Sequence, residues 1–452
     1  MTDRIEKDSM GEVRVPEGAL YGAQTRRAAL NFRFSDRRLP AAFLRRLALI
    51  KAAAARANSG LDVLDGDIAD AIVAQSMKIA DGAHLDEFPL DVFQTGSGTS
   101  TNMNMNEVIA NLAGQGVHPN DHVNCSQSSN DVIPSCIQVS AVLELEGRLL
   151  PAVTGLVTAI RDKAEAVGHV VKTGRTHLMD AMPVTLGQEL GAWAFQVAEA
   201  GDRIRDLVPR LSTLPLGGTA VGTGVNCPAG FAEAAVAEIS RLTGYDFACV
   251  ENRFARMAGQ DVSVECSAAL RSVAIVLTKI SNDLRWMGSG PLAGLAELEL
   301  QALQPGSSIM PGKVNPVIPE AIAMIGAEIV GNDVTVAQAA QSGNFQLNVM
   351  LPLIAEKLLS GIELLARASE ALAEVIRDFK VNEEHLAAQL RRNPILVTAL
   401  NTRIGYDRAA AIAKKAYAEQ RDIIDVAAEE TDIPRDELVK LLDPAVLTRP
   451  ED

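Results

Sequence analysis

The chain has 452 residues, 48% of them hydrophobic and only 4% aromatic, more apolar sequence than one compact core needs, which points to several domains or one elongated architecture. Its 42 Lys and Arg against 57 Asp and Glu leave a formal charge of −15, so nucleic acid is not an expected partner, because phosphate binding draws on a basic surface. The five cysteines show no CxxC spacing and the six histidines do not fall at metal-ligand intervals, a pattern that fits reduced thiols in the cytoplasm and no metal site.

In chain order, the opening MTDRIEKDSMGEV has neither a basic leader nor an apolar run, so secretion is not expected. Charge interrupts every long apolar stretch within a few turns, which argues against a membrane-spanning helix. Alanine, leucine, glutamate and arginine fill the segments between glycine clusters, a helical composition. A Ser/Thr/Asn-rich zone lies at Gln94 to Asn106. An apolar seam through Val142, Leu145, Leu149, Val153, Leu156 and Ile160 predicts a long helix. Another runs through Leu186, Leu190, Trp193, Val197, Ile204, Leu207 and Leu211. The clearest periodicity joins Cys266, Leu270, Val273, Leu277, Ile280 and Leu284 in alternating four- and three-residue steps. Long loops are expected at Thr213 to Gly230 and Gly288 to Pro319, and further helices at about 320–340 and 350–378. Beyond about Val381 the chain becomes more charged, with shorter helices at Arg408 to Tyr417 and Pro434 to Leu442.

The fold class expected is therefore all-α: an elongated central helical bundle flanked by smaller N- and C-terminal domains. The boundaries expected are 1–127 for a mainly helical N-terminal domain, 128–383 for the bundle and 384–452 for a small C-terminal helical domain. Helices of roughly 25 residues would run about 40 Å. Their apolar stripes are wider than one bundle of this size can bury, so association with further copies is expected.

Four polar segments stand out against this helical background: QTGSGTSTNMN (Gln94 to Asn104), HPNDHVNCSQSSND (His118 to Asp131), GRTHLMDAMP (Gly174 to Pro183) and GSSIMPGKVNP (Gly306 to Pro316). Each offers hydroxyls, amides or exposed backbone N–H groups, donors that suit a carboxylate. Taken singly, each is an ordinary cap or turn; four in one chain shift the balance. Several familiar motifs are excluded. Five residues rather than four separate Gly306 from Gly312, and Val314 replaces the required Ser or Thr, so this is not a Walker loop. The run GGTAVGTG from Gly217 has no preceding strand, which disfavours a dinucleotide fold. HExxH, the GxSxG elbow and clustered thiolates are absent.

GSSIMPGKVNP resembles the signature of the fumarase and aspartase superfamily. FQTGSGTSTNMNMNE, HPND, SQSSND, GRTHLMDAMPVTLGQE, GGTAVGTG and TALNTRIGYDRAA resemble class II fumarase (fumarate hydratase) in the same order, over nearly the whole chain. The resemblance implies a homotetramer with active sites shared by three subunits, a small dicarboxylate substrate and no cofactor. It implies reversible hydration of fumarate to (S)-malate, by anti elimination and addition of water through a carbanionic, aci-carboxylate intermediate. By the same resemblance Ser307 is the base, His177 the acid, Glu320 the partner of that histidine and Lys313 the cation that supports the base. Lys313 and Asn315 bind the carboxylate. Ser97, Gly98, Thr99, Ser128, Ser129, Asn130, Thr176, Ser308 and Val314 complete the substrate site. His118, Pro119, Asn120 and Asp121 are similar to a second anion site of the family. Gln115 stands there where relatives can carry an arginine, and a helix-opening turn explains the segment equally well.

Aspartase, an ammonia-lyase on aspartate, is the nearest alternative. Gly96 and Ser97 in TGSGT, Ser129 in SSN, His177 and Gly312 favour fumarase, whereas VIPE (Val317 to Glu320), NDH (Asn120 to His122) and QLNVM (Gln346 to Met350) lean towards aspartase. Chemistry weights the first set: hydroxide needs more acid assistance to leave than ammonia does, so a histidine with a carboxylate partner serves a hydratase better. An inert lens-protein role is a third reading, disfavoured because Ser307, Lys313, Asn315, His177 and Glu320 are all present.

Overall fold

A computed structural model gives the structure of the chain and describes residues 3–114 and 116–449. The chain opens with an antiparallel hairpin, β1 (Asp3–Asp8) and β2 (Gly11–Pro16). Helices follow: α1 (Ala23–Asn31), α2 (Ala41–Gly60), α3 (Gly66–Ala80), α4 (Thr99–Ala113), α5 (Ser129–Glu144) and α6 (Leu150–Ala166). A second hairpin, β3 (Val171–Thr176) and β4 (Met179–Thr185), precedes α7 (Leu186–Leu211) and α8 (Phe231–Thr243). The short α9 (Arg253–Ala258) leads to three long helices, α10 (Asp261–Met287), α11 (Val317–Ala340) and α12 (Leu351–Asp378). Shorter helices at Glu383–Arg391, Tyr406–Glu419, Ile423–Glu430 and Arg435–Leu441 complete the chain. Among the described residues no helix is long and apolar enough to cross a membrane.

Every residue of the three apolar seams read from the sequence is buried, so the period of the pattern identified the core faces correctly. One local departure has a clear cause. The helix expected through Val142 to Ile160 contains a π-helical turn at Leu145–Leu149. Pro151 has no N–H to offer the carbonyl of Gly147 four residues back, and the ladder opens by one residue to accommodate it. The hairpins are a second departure: GRTHLMDAMP forms the turn and flanking residues of β3 and β4, and the N-terminal charged stretch forms β1 and β2.

The chain forms two compact units, each assembled from separate stretches. Met1–Pro151, Ala200–Ala274 and Ile325–Arg367 make the first; Ala152–Glu199, Ile275–Met324 and Ala368–Asp452 make the second. In the first unit α2 packs against α3, α4, α5 and α8. Its alanine run, Ala52 to Ala55, is buried, and small side chains let these neighbours come close. At Gly361 of α12 an added Cβ would stand 3.3 Å from Ile329 of α11 and 3.7 Å from Leu270 of α10, so glycine permits the three helices to meet there.

In the second unit the C-terminal helices bury Leu390, Leu400, Ile412, Val426 and Leu438 in a core of their own, with Val171 of β3 packed against it. The buried Lys172 of β3 lies 2.7 Å from Glu189 and 2.6 Å from Glu297, and Glu297 also lies 2.6 Å from Arg175. Pairing with carboxylates offsets the desolvation of a buried cation. The hairpin is therefore rooted both in the C-terminal core and in a buried ionic cluster. Trp193 of α7 is wholly buried, and the Lys279 ammonium of α10 stands 5.4 Å from the centre of its ring. Trp193→Ala is expected to cost about 3–5 kcal/mol through the cavity it opens, checked as a fall in the denaturant midpoint.

Candidate functional site

In the first unit the N-termini of α4 and α5 lie side by side, tied by a side-chain bond from Asn102 Nδ2 to Ser129 Oγ at 3.0 Å. Helix N-termini carry unpaired N–H groups and a partial positive charge, so two together favour an anion. The hydroxyl-rich motifs sit at these two ends. Gly98 caps α4 at φ +74, and a Cβ there would come within 3.0 Å of Ile133. Thr99 begins the helix, with its hydroxyl 2.7 Å from that of Ser97. At the other end Ser128 is the N-cap of α5, its hydroxyl accepting from the Asn130 N–H at 3.3 Å. Asn130 Nδ2 donates to the carbonyl of Ala220 at 2.8 Å. Ser97, Gly98, Thr99, Ser128, Ser129 and Asn130 are thus brought to one cradle.

Two charged residues missing from the sequence-based set build the cradle from behind. Asp131, wholly buried, accepts from the Ser128 N–H through one oxygen and from the Gly217 and Thr219 N–H groups through the other, all at 2.9 Å. Its desolvation pushes its pKa up, opposed by those three N–H groups and by Lys51. Lys51 of α2 is also wholly buried, with its ammonium 3.0 Å from Asn124 Oδ1 and 3.0 Å from Gln127 Oε1. Desolvation pushes its pKa down to about 7, against the raising influence of Asp131 and then Cys136. The signals were present in the sequence: Asp131 closes the SQSSND motif, and Lys51 is the one cation inside LALIKAAAA.

His118 caps a single π-helical turn, Pro119–Val123, its Nδ1 accepting from the Asp121 N–H at 3.1 Å. The turn reading of this segment is therefore realised in the backbone. Gln115, three residues before it, lies outside the described residues. A cavity of about 990 Å³ is lined by Thr99, Ser100, Glu107, His118, Pro119 and Asn120, with Lys7 and Arg27 on the wall formed by the N-terminal hairpin and α1. The structure thus brings Thr99 and His118, Pro119 and Asn120 of the candidate second anion site to one cavity, which Asp121 does not line. Glu107, which also lines it, accepts through its carboxylate from the N–H groups of Gly22, Gln24 and Thr25 at the start of α1.

In the second unit Thr176 ends β3 and pairs with Met179, leaving His177 and Leu178 as a two-residue turn with φ of +58 and +62. Both central residues of such a turn adopt the left-handed region, which normally selects Asn and Gly. Here it presents an exposed imidazole and a Leu178 side chain that is 67% exposed.

The loop around Ser307 is closed at its base. The Gly306 N–H donates to the Lys313 carbonyl at 2.9 Å, and Asn315 Nδ2 donates to the Gly306 carbonyl at 2.6 Å. A Cβ at Gly306 would fall 2.2 Å from the Lys313 oxygen, so only glycine allows this closure. Within the loop, Ser307 Oγ accepts from the backbone N–H of Ile309 at 3.3 Å and of Met310 at 3.0 Å. Ser307, Lys313 and Val314 line a cavity of about 460 Å³; Ser308 and Lys313 are exposed and Asn315 half-buried. Glu320 lies in the first turn of α11. Among the described residues neither Glu320 nor His177 has an ion-pair partner within the single chain.

Comparison with known proteins resolves the ancestry of this arrangement. A lyase family model matches residues 11–331, and a model of the fumarase C C-terminus matches residues 396–449. A class II fumarate hydratase of Pseudomonas aeruginosa is 58% identical over 99% of both chains. The chain belongs to the class II fumarate hydratase family. In three dimensions it is similar to a class II fumarase from Schistosoma mansoni at a TM-score of 0.96, with 37% identity over 100% of both chains. It is also similar to a fumarate lyase:delta crystallin from Brucella melitensis, solved bound to cobalt, at a TM-score of 0.95 and 42% identity, over 99% of this chain and 100% of that one. The all-α expectation and the superfamily expectation both hold for this fumarate hydratase family member.

Asp131→Asn replaces an acceptor oxygen with an amide group facing N–H donors. It is expected to cost about 1–3 kcal/mol and to speed hydrogen exchange at Gly217 and Thr219, measured by mass spectrometry.

Proposed function

We propose that the chain is a hydro-lyase interconverting fumarate and (S)-malate, with Ser307 as the base. The arrangement at Ser307 carries the reading. An alcohol is a poor base at neutral pH unless its alkoxide is stabilised, and Ser307 Oγ receives two backbone N–H groups inside a loop that also bears Lys313. Preorganised donors of this kind act without reorganising as charge forms. In the dehydrating direction the Ser307 alkoxide takes the proton from the carbon beside a carboxylate, and the electron pair moves onto that carboxylate as its aci form. The C–O bond on the neighbouring carbon then breaks, and His177 gives the departing hydroxide a proton, releasing water and leaving fumarate. Thr99, Ser128, Ser129, Asn130, Thr176, Lys313 and Asn315 hold the substrate's carboxylates, with Ser97, Gly98, Ser308 and Val314 shaping their surroundings.

The same reading extends to assembly. Among the described residues His177 and Glu320 lack ion-pair partners in the single chain. On the long helices Phe195 is 64% exposed and Met324 68%, large apolar side chains that a further copy would cover. A homotetramer with sites shared by three subunits accounts for both, as does a cytoplasmic enzyme for the free cysteines. His118, Asn120 and Asp121 are proposed to bind a second anion.

Incubating the protein with fumarate, with and without ammonium, and identifying the product by NMR tests the activity. Malate formed in water without ammonium is expected; aspartate formed only with ammonium would overturn the hydratase reading. Ser307→Ala is expected to lower turnover about 10²–10⁴-fold while succinate still binds, and near-normal turnover would remove Ser307 from the base role. His177→Asn is expected to lower turnover less, because water can partly replace the acid.

A further inference from the structure

Resting on the reading of Ser129 as a substrate ligand, we propose that Lys51 is a positioning residue that fixes the direction of a buried hydrogen-bond relay ending at the Ser129 hydroxyl. Carboxamides are ambiguous elements of a network, because exchanging their oxygen and nitrogen reverses donor and acceptor. An ammonium is not ambiguous: it donates and never accepts. Lys51 therefore orients every amide it touches.

The relay can be followed atom by atom. Lys51 Nζ donates to Asn124 Oδ1 at 3.0 Å, which turns Asn124 Nδ2 to the Gln127 carbonyl at 3.2 Å. Lys51 also donates to Gln127 Oε1 at 3.0 Å, which turns Gln127 Nε2 to the carbonyls of Val123 and Cys125 at 3.2 and 3.0 Å. With its oxygen facing inward, Asn124 accepts from Asn102 Nδ2 at 3.1 Å and Asn106 Nδ2 at 3.2 Å. The remaining Asn102 hydrogen goes to Ser129 Oγ at 3.0 Å. Ser129 thus accepts from behind, and its own hydrogen is left to donate outward, towards an anion at the helix N-termini.

The competing state is a reversed Asn102, which would accept the Ser129 hydrogen and cancel the donor. That state is accessible in local terms, because Asn102 Oδ1 is buried without a partner. What excludes it is Asn124 Oδ1, which a reversed Asn102 would meet oxygen to oxygen, and Asn124 is held by Lys51. A carboxylate seated beyond Ser129 further favours the protonated form of Lys51. The position of Lys51 in a wholly apolar stretch of α2 is then explained: its cost in desolvation is retained because it sets the polarity of the cradle.

The test is a double-mutant cycle in the full-length enzyme, read by fumarate kinetics and by the dissociation constant of succinate, a dicarboxylate that cannot react. Lys51→Met keeps the length of the side chain but leaves Gln127 Oε1 without its ammonium donor and takes a favourable charge from buried Asp131, so the melting temperature is expected to fall. The KM for fumarate and the succinate dissociation constant are each expected to increase about tenfold, with kcat changing far less, as for loss of a ground-state hydrogen bond. Ser129→Ala is expected to have a similar effect, and the double variant to be no worse than Ser129→Ala alone. Unchanged KM and succinate affinity in Lys51→Met, or single effects that multiply in the double variant, would overturn the relay. A Ser129→Ala protein that binds succinate normally would instead remove Ser129 from the substrate site, and the relay with it. If Lys51→Met does not accumulate in folded form, Asn102→Leu cuts the same relay one step nearer Ser129, and the same non-additivity is required of it.

Discussion

The cradle depends on one buried carboxylate. Asp131 closes the cap of its own helix through the Ser128 N–H and, with its second oxygen, holds the N–H groups of Gly217 and Thr219. A single residue thereby fixes a helix end and a glycine-rich segment distant in sequence. Capping boxes usually satisfy only the helix they begin. Here the same carboxylate organises a loop that has no regular structure of its own, so the hydroxyls and amides at Ser128 to Asn130 stand on a rigid support.

The two units solve the problem of presenting polar groups differently. In the first, donors are built into helix ends and backed by buried polar side chains, so the proposed anion-binding surface is preformed. In the second, the proposed acid His177 and the proposed base Ser307 sit on a hairpin tip and a loop, with rigidity supplied at the roots. The Lys172, Glu297 and Arg175 cluster anchors the hairpin, and the contacts of Gly306 with Lys313 and Asn315 close the loop. Loops carrying chemistry on a rigid scaffold are a common division of labour.

How legible all this was in the sequence varied with the physics involved. The helices of the core were readable because burial imposes a period, and each seam residue named from that period is buried. The polar clusters were readable because Ser, Thr, Asn and Gly mark helix caps and turns. The hairpin carrying His177 was not, since Arg175 to Met179 lacks the Asn-Gly pair that announces a two-residue turn; the surrounding framework imposes the left-handed conformations there. Nor was the interruption at Leu145–Leu149, because the seam continues through it. Lys51 and Asp131 escaped because their roles arise from partners far along the chain, Asn124 for one and Gly217 for the other.

The turn at His177 and Leu178 has a consequence for how an acid can be delivered. A backbone of two consecutive left-handed residues other than glycine is sparsely populated in a free peptide and persists only when its flanks over-determine it. The backbone that carries His177, the proposed acid, is therefore ordered during folding, and a substrate meeting it gives up none of its binding energy to order that turn.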